Sequence, residues 1–107
     1  MRLRHALVAG LLLSATAAAS TADDLSEYVG YTIVASETIT GWRDEDGKRG
    51  DELEGCEFDR TIIVEDGRAL TCSTYSYHYA YRPRAVILAN GTSIKMIVED
   101  ETYDMRR

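Results

Sequence analysis

Short runs of apolar and β-branched residues are separated by charged, glycine-containing turns along most of the chain. Such runs, several of them alternating between apolar and polar residues, are typical of half-buried β-strands. The first, Tyr31–Thr40, is rich in Thr, Ile and Val, which strands favour. Four further strands are predicted in two hairpins around Asp66-Gly67 and Asn90-Gly91: Arg60–Glu65, Arg68–Tyr81, Ala85–Ala89 and Thr92–Val98.

No long helical pattern and no internal repeat accompanies these strands. The sequence therefore predicts an all-β domain, a small bent five- or six-stranded antiparallel barrel or meander. A barrel like that of Src-homology-3 domains is favoured over the oligonucleotide-binding type. The latter usually places a helix between its third and fourth strands, and Arg82-Pro83-Arg84 leaves no room for one. One short helical turn is expected at Asp23–Tyr28, ended by Gly30.

Two-residue turns would fix the register of both hairpins. With Asp66-Gly67 at the tip of the first hairpin, Ile63 faces Leu70. With Asn90-Gly91 at the tip of the second, the inward-facing residues are Ile87, Ile94, Met96 and Val98.

The segment between the first strand and these hairpins, Gly41–Gly55, is dominated by charged residues and glycine. It is predicted to be a long solvated connection, with Asp46-Gly47 as the two-residue tip of a tight hairpin. A calcium loop of the EF-hand type aligned on Asp46-Gly47 fails, because Trp42 and Leu53 would occupy the first and last ligand positions, which must be acidic.

The beginning of the chain predicts an export signal. Arg2 and Arg4 precede an apolar segment, Ala6–Leu13, and a run of small residues ends at Ala19. This stretch is shorter than the ~20 residues that span a bilayer. We therefore expect a signal peptide at residues 1–19, with cleavage as late as residue 22. The protein is expected to be exported, periplasmic or secreted, with a single β-domain at residues 23–107 that does not insert into the membrane.

Export also changes the net charge. The whole chain carries 18 acidic and 12 basic residues. Arg2 and Arg4 leave with the signal while every acidic residue stays, which gives a net charge of −8. Phosphate binding needs a basic face, so this composition argues against a nucleic-acid partner. The length suffices for one small domain.

Two cysteines in a small exported domain predict one disulfide, Cys56–Cys72, worth about 3 kcal/mol in the chain-entropy model. A redox or metal site is the competing interpretation. Neither cysteine has a Cys-x-x-Cys partner, however, and His78 is the one histidine after the signal. A straight hairpin would keep the two cysteines too far apart, so the chain is expected to leave the ladder near Asp59.

Four tyrosines alternate with smaller residues in Tyr75-Ser76-Tyr77-His78-Tyr79-Ala80-Tyr81 and would share one face of a strand. Either they line the surface, or a bulge near Ser73-Thr74 swaps the two faces. An exposed row would bind a glycan, a peptide or a partner protein, whereas core packing is the commoner use of strand tyrosines. We expect partial burial, with Tyr75 and Tyr77 packed and Tyr79 and Tyr81 nearer the surface.

The sequence contains few residues in patterns that indicate catalysis. His78 could act as a base, but no nucleophile or orienting acid is specified, so a hydrogen bond to a neighbour is expected instead. Glu99-Asp100-Glu101 with Asp104 is predicted to be a solvated chain end rather than a cation site. The chain has no phosphate loop, nucleophile elbow or His-x-x-x-His pair. We expect no enzyme activity, no cofactor and no metal.

Three stretches, Gly55–Phe58, Cys72 with Tyr75–Pro83, and Met96–Glu99, resemble uncharacterised small exported bacterial proteins. The resemblance implies export and a compact domain and carries no active site. The sequence therefore favours a non-enzymatic exported β-domain that binds a partner through its tyrosine-rich strand or supports the envelope. The alternative is a secreted or periplasmic inhibitor of a basic hydrolase such as lysozyme, because opposite charge accelerates encounter.

Overall fold

The computed structural model describes residues 21–107, and the predicted signal peptide at residues 1–19 lies outside them. Within this range a short helix precedes a series of strands. The elements are α1 (Thr21–Ser26), β1 (Thr32–Arg43), β2 (Arg49–Gly50), β3 (Leu53–Cys56), β4 (Thr61–Val64), β5 (Ala69–Cys72), β6 (Ser76–Ala80), β7 (Arg84–Asn90), β8 (Ser93–Val98) and β9 (Glu101–Arg106). No helix among the described residues is long and apolar enough to cross a membrane.

Six antiparallel strands close a barrel in the order β1-β4-β5-β9-β8-β7, with β7 returning to pair with β1. The short β2 adds to the end of β1, and β3 pairs with β6 in a separate two-stranded sheet, which we call the β3–β6 ribbon. This confirms the predicted all-β class and the small bent antiparallel barrel. The short N-terminal helix is also confirmed, and Gly30 beyond it has a positive φ of 88°.

The long strand β1 closes the barrel because its two halves pair with different strands. Residues 32–38 pair with β7, and residues 39–43 pair with β4. The register slips once in each half, and such bulges bend a strand. Gly41 lies at the second bulge, where a Cβ would be 2.5 Å from the carbonyl oxygen of Gly50. A residue with a side chain would therefore separate β1 from β2.

Aliphatic side chains from inward positions of the strands form the core of the barrel. The predicted inward residues of the second hairpin are all among them. The barrel core includes Ile39, Ile62, Val64, Ala85, Ile87, Ile94, Met96 and Val98.

Two segments that were predicted to be solvated contribute residues to the core. The prediction for Gly41–Gly55 is wrong, because Trp42 at its start and Leu53 near its end are buried. At the acidic end of the chain, Glu99 and Asp100 are exposed, but the residues after them form β9 and bury Tyr103 completely. In both segments the apolar residues are few and stand at inward positions among many charged ones.

Both Asp-Gly hairpins have three-residue loops instead of the predicted two. Val64 pairs with Arg68, and Asp44 pairs with Lys48. In each loop the glycine has a positive φ, and the aspartate Oδ1 accepts a hydrogen bond from the backbone N–H two residues later. A type I turn followed by a left-handed glycine is a preferred three-residue loop. The register of the first predicted hairpin is consequently wrong by one residue, and Ile62 rather than Ile63 faces Leu70.

The Asn90-Gly91 hairpin turns one residue later than predicted. Asn90 pairs with Ser93, so Gly91 and Thr92 form the tip. Gly91 has a positive φ of 62°, as the first tip residue of a type II′ turn requires. Each cross-strand partner shifts by two positions, an even number, and the inward and outward faces therefore stay as predicted.

The predicted Cys56–Cys72 disulfide is present, with 5.6 Å between the two Cα atoms. It joins β3 of the ribbon to β5 of the barrel. The chain leaves the ladder at Asp59 as predicted: this residue has a positive φ of 69°, and its N–H donates to the carbonyl of Cys72. The N–H of Cys72 in turn donates to the carbonyl of Arg60, so backbone hydrogen bonds continue around the corner.

The side chain of Arg60 is buried beside this corner, with 4% of the residue exposed. Its guanidinium donates two hydrogen bonds to the carboxylate of Asp44, at 2.7 and 3.0 Å. It also reaches Glu57 at 3.1 Å and lies 3.8 Å over the ring of Trp42. Two-point pairing of this kind compensates a buried charge. The hydrogen bonds from Arg60 lower the pKa of Asp44.

Loss of the disulfide is expected to destabilise the protein strongly. We expect Cys72→Ser to lower the free energy of unfolding by about 2–5 kcal/mol, because the unfolded chain gains freedom and the ribbon loses its covalent link to the barrel. Urea unfolding of the wild type, with and without reductant, gives the same comparison without a substitution. Protein recovered from its native compartment should contain no alkylatable thiol, and two reactive thiols in it would contradict the prediction.

The Asp44–Arg60 pair predicts an acid-sensitive part of the stability. We expect Asp44→Asn to cost about 3 kcal/mol at neutral pH, since it leaves a buried guanidinium short of its main partner. The pKa of Asp44 is lower in the folded protein than its ordinary 3.8. The stabilisation is therefore complete above the ordinary pKa and is lost as the pH falls through the folded-state pKa.

Denaturant unfolding of the wild type and of Asp44→Asn across this pH range measures the effect. The difference between the two proteins should shrink toward low pH. Glu57→Gln is the control, because the Glu57 side chain is 56% exposed and its pairing should contribute about 1 kcal/mol or less. A difference that is independent of pH would contradict the assignment.

Candidate functional site

The β3–β6 ribbon has one buried and one exposed face. Leu53 pairs with Ala80, and Cys56 pairs with Ser76. Leu53, Cys56 and Ala80 are buried, and the first two belong to the same hydrophobic cluster as the barrel core. Gly55 lies so close to β6 that a Cβ would be 2.3 Å from the carbonyl oxygen of Ser76. The two strands of the ribbon are thus packed tightly against each other, and Leu53 and Cys56 attach the ribbon to the core.

All four tyrosines of the predicted row are exposed, with Tyr77 and Tyr79 at the outer positions of β6 and Tyr75 and Tyr81 directly before and after the strand. Their exposed fractions are 70% for Tyr75, 64% for Tyr77, 54% for Tyr79 and 67% for Tyr81. The prediction that Tyr75 and Tyr77 are packed is therefore wrong, since they are as exposed as the other two. We call this surface, made of Tyr75, Tyr77, Tyr79 and Tyr81, the tyrosine face.

The period of two explains why the tyrosines point outward together. Cys72 is buried in β5, and the inward residues of β6 share its parity in the sequence. The chain bends between the two strands, at residues 73–74, but the face swap considered from the sequence does not occur. On the inner side, Ser76 and His78 are half-buried and Ala80 is buried.

His78 lies on the inner side and connects β6 to the turn between β8 and β9. Its Nε2 is 2.6 Å from Oε1 of Glu99, whose backbone has a positive φ of 53°. Ser76 Oγ donates to Oε1 of Glu101 at 3.5 Å. Among the described residues, no hydroxyl or thiol forms a hydrogen bond with the His78 ring. The arrangement therefore holds β6 in position, and it lacks the nucleophile that a histidine–carboxylate pair would activate.

A half-open cavity of about 340 Å³ is bounded by residues of β1, β4, β5, β7 and β8. Its described lining is mostly aliphatic, and the charged residues there are Arg68 and Arg107. Arg68 is already paired with Asp66 at 2.6 Å and with Glu37 at 3.7 Å. The lining contains no acid, base or nucleophile. Strand periodicity did not predict this cavity, because it shows which residues face inward and not whether they fill the space.

No group of three or more His, Cys, Asp or Glu side chains within residues 21–107 is arranged to hold a metal ion. No family model, curated protein or solved structure matches the chain.

Substitutions on the tyrosine face are expected to leave stability nearly unchanged. Tyr77→Ser/Tyr79→Ser should alter the free energy of unfolding by about 0.5 kcal/mol or less per site, as exposed substitutions usually do. Tyr103→Ser is the contrast, because Tyr103 is completely buried and burial raises its pKa to about 12. That change should cost about 3–5 kcal/mol. The urea midpoints of the variants provide the comparison. Large and equal losses of unfolding free energy in single Tyr→Ser variants of the four exposed tyrosines would show that they are core residues.

Proposed function

We propose that this protein is an exported, non-enzymatic binding module that holds its partner on the tyrosine face. The observation that supports this function is the exposure of all four tyrosines, 54–70%, on a ribbon whose other face is buried. The disulfide supports export, since such bonds persist in oxidising compartments.

An exposed row of aromatic rings contributes little to the stability of the fold but is well suited to binding a partner. Monomeric soluble proteins rarely expose large contiguous apolar patches, and those they do expose are often interaction sites. Tyrosine offers a large, rigid contact area with few rotatable bonds and a hydroxyl that can form hydrogen bonds at the edge of the contact. The tyrosine face therefore combines the properties that interface residues share.

The ribbon also holds the row in place before a partner arrives. At ~3.3 Å per residue, alternate rings stand ~6.6 Å apart along an extended strand. The disulfide, the packing of Leu53 and the hydrogen bonds of Ser76 and His78 fix this strand from below. Because the strand is already fixed, binding a partner costs little conformational entropy, and this favours affinity. An extended partner could contact successive rings.

We expect Tyr77→Ser/Tyr79→Ser to abolish capture of the partner. The mature wild-type protein is immobilised, the proteins or glycans retained from envelope extract are identified, and the purified partner is titrated against each variant. The double substitution should weaken binding about tenfold or more, because buried aromatic anchors dominate interface energies. Leu25→Ser/Val29→Ser is the matched control, since these side chains are 60% and 80% exposed at another place in the fold.

The control should bind like the wild type, and both variants should unfold at the wild-type midpoint. A partner that binds the tyrosine variant with unchanged affinity would show that another surface carries the function.

A further inference from the structure

One group of carboxylates lies in β3 and directly before it. We call Asp51, Glu52 and Glu54 the β3 acidic group. Glu54 is directly opposite Tyr79 in the β3–β6 ladder, so the two side chains share a face. The carbonyl of Asp51 accepts a hydrogen bond from Nε of Arg82 at 3.1 Å. This contact places Asp51 near the Tyr81 end of the row.

A second group of carboxylates lies at the turn between β8 and β9 and at the start of β9. We call Glu99, Asp100 and Glu101 the turn acidic group. It contacts β6 through the hydrogen bonds of Glu99 with His78 and of Glu101 with Ser76. Both partners lie on the inner side of β6, so this group approaches the strand from the side opposite the tyrosine face. A partner on the tyrosine face would therefore meet the β3 acidic group.

Positive charge near the row is sparse by comparison. Arg82 lies 5.7 Å from the ring of Tyr81. Arg60 is buried against Asp44, and Arg106 is paired with Asp59. The carboxylates of the β3 acidic group also lie close together. Burial raises the pKa of Glu52 most, followed by a hydrogen bond with Glu54 and by charge repulsion from Asp51 and Glu54. A cation supplied by a partner would relieve the repulsion among these carboxylates.

We propose that the tyrosine face binds a basic segment of a partner protein, with Arg or Lys side chains over the tyrosine rings and against the β3 acidic group. This inference rests on the function proposed above and adds the chemistry of the partner. Aromatic faces attract cations, and guanidinium groups pair with carboxylates at two points. The sequence also left open that this protein inhibits a basic hydrolase. Such a hydrolase would be a partner of the same chemical class.

Octa-arginine and octa-glutamate peptides are the probes. Each is titrated into the mature protein at low salt by fluorescence anisotropy. We expect saturable binding of octa-arginine, weaker at physiological salt because exposed charges are then screened, and no binding of octa-glutamate. Tyr77→Ser/Tyr79→Ser should weaken octa-arginine binding about tenfold or more, because the rings and not charge alone hold the peptide.

Charge-reversal variants separate attraction of the peptide to the acidic residues near the tyrosine face from attraction to the net negative charge of the whole protein. Asp51→Lys/Glu54→Lys reverses two charges of the β3 acidic group, one of them directly opposite Tyr79. Asp24→Lys/Glu65→Lys is the matched control, because it alters the net charge equally at exposed positions in α1 and in the β4–β5 loop. The first variant should weaken octa-arginine binding about tenfold, and the control about twofold or less.

Equal weakening by the two charge-reversal variants would overturn the inference, since it would show attraction to net charge only. Binding of octa-glutamate, or of the neutral sugar maltohexaose in place of octa-arginine, would also overturn it. If an envelope partner needs Tyr77 and Tyr79 while octa-arginine does not bind, the proposed function stands and this inference fails. If the tyrosine variant binds every partner like the wild type, both fail.

Discussion

The bond between Cys56 and Cys72 is the interaction on which the exposed surface of this protein depends. An isolated two-stranded ribbon is marginally stable in water, and β3 and β6 pair only with each other within residues 21–107. The disulfide fixes one end of this ribbon to β5, which is paired on both sides in the barrel. The tyrosine face thus has a rigid support although its strands lie outside the main sheet.

The corner beside this bond also explains the buried charge. The chain leaves β3, turns at Asp59 and enters β4, and this turn brings Arg60 beneath the ribbon. Asp44 from the β1–β2 loop compensates the guanidinium, and Trp42 at the end of β1 covers it. Barrel, ribbon and loop therefore meet at one point. The buried guanidinium is tolerated there because Asp44 and Glu57 pair with it.

The sequence predicted the faces of the strands better than their ends. Alternation sufficed for the inward residues of β7 and β8, and parity sufficed to place the tyrosines on one face. Turn length escaped prediction, because Asp-Gly suits both a two-residue tip and the last positions of a three-residue loop. Leu53 and Tyr103 were missed because charged neighbours dominate their segments. Which face of β6 is buried depends on its pairing with β3 and on the packing of that ribbon against the barrel, and β3 lies distant from β6 in the sequence.

The composition of β6 reflects two separate demands. Its inner positions hold Ser76, His78 and Ala80, and the first two form hydrogen bonds with Glu101 and Glu99. Its outer positions, Tyr77 and Tyr79, are exposed, so stability alone would be served by charged residues or threonine, which also protect an exposed strand against aggregation. Together with Tyr75 and Tyr81 on either side of the strand, they place apolar area at that site instead. Folding does not account for this choice, whereas the partner recognition proposed above would account for it.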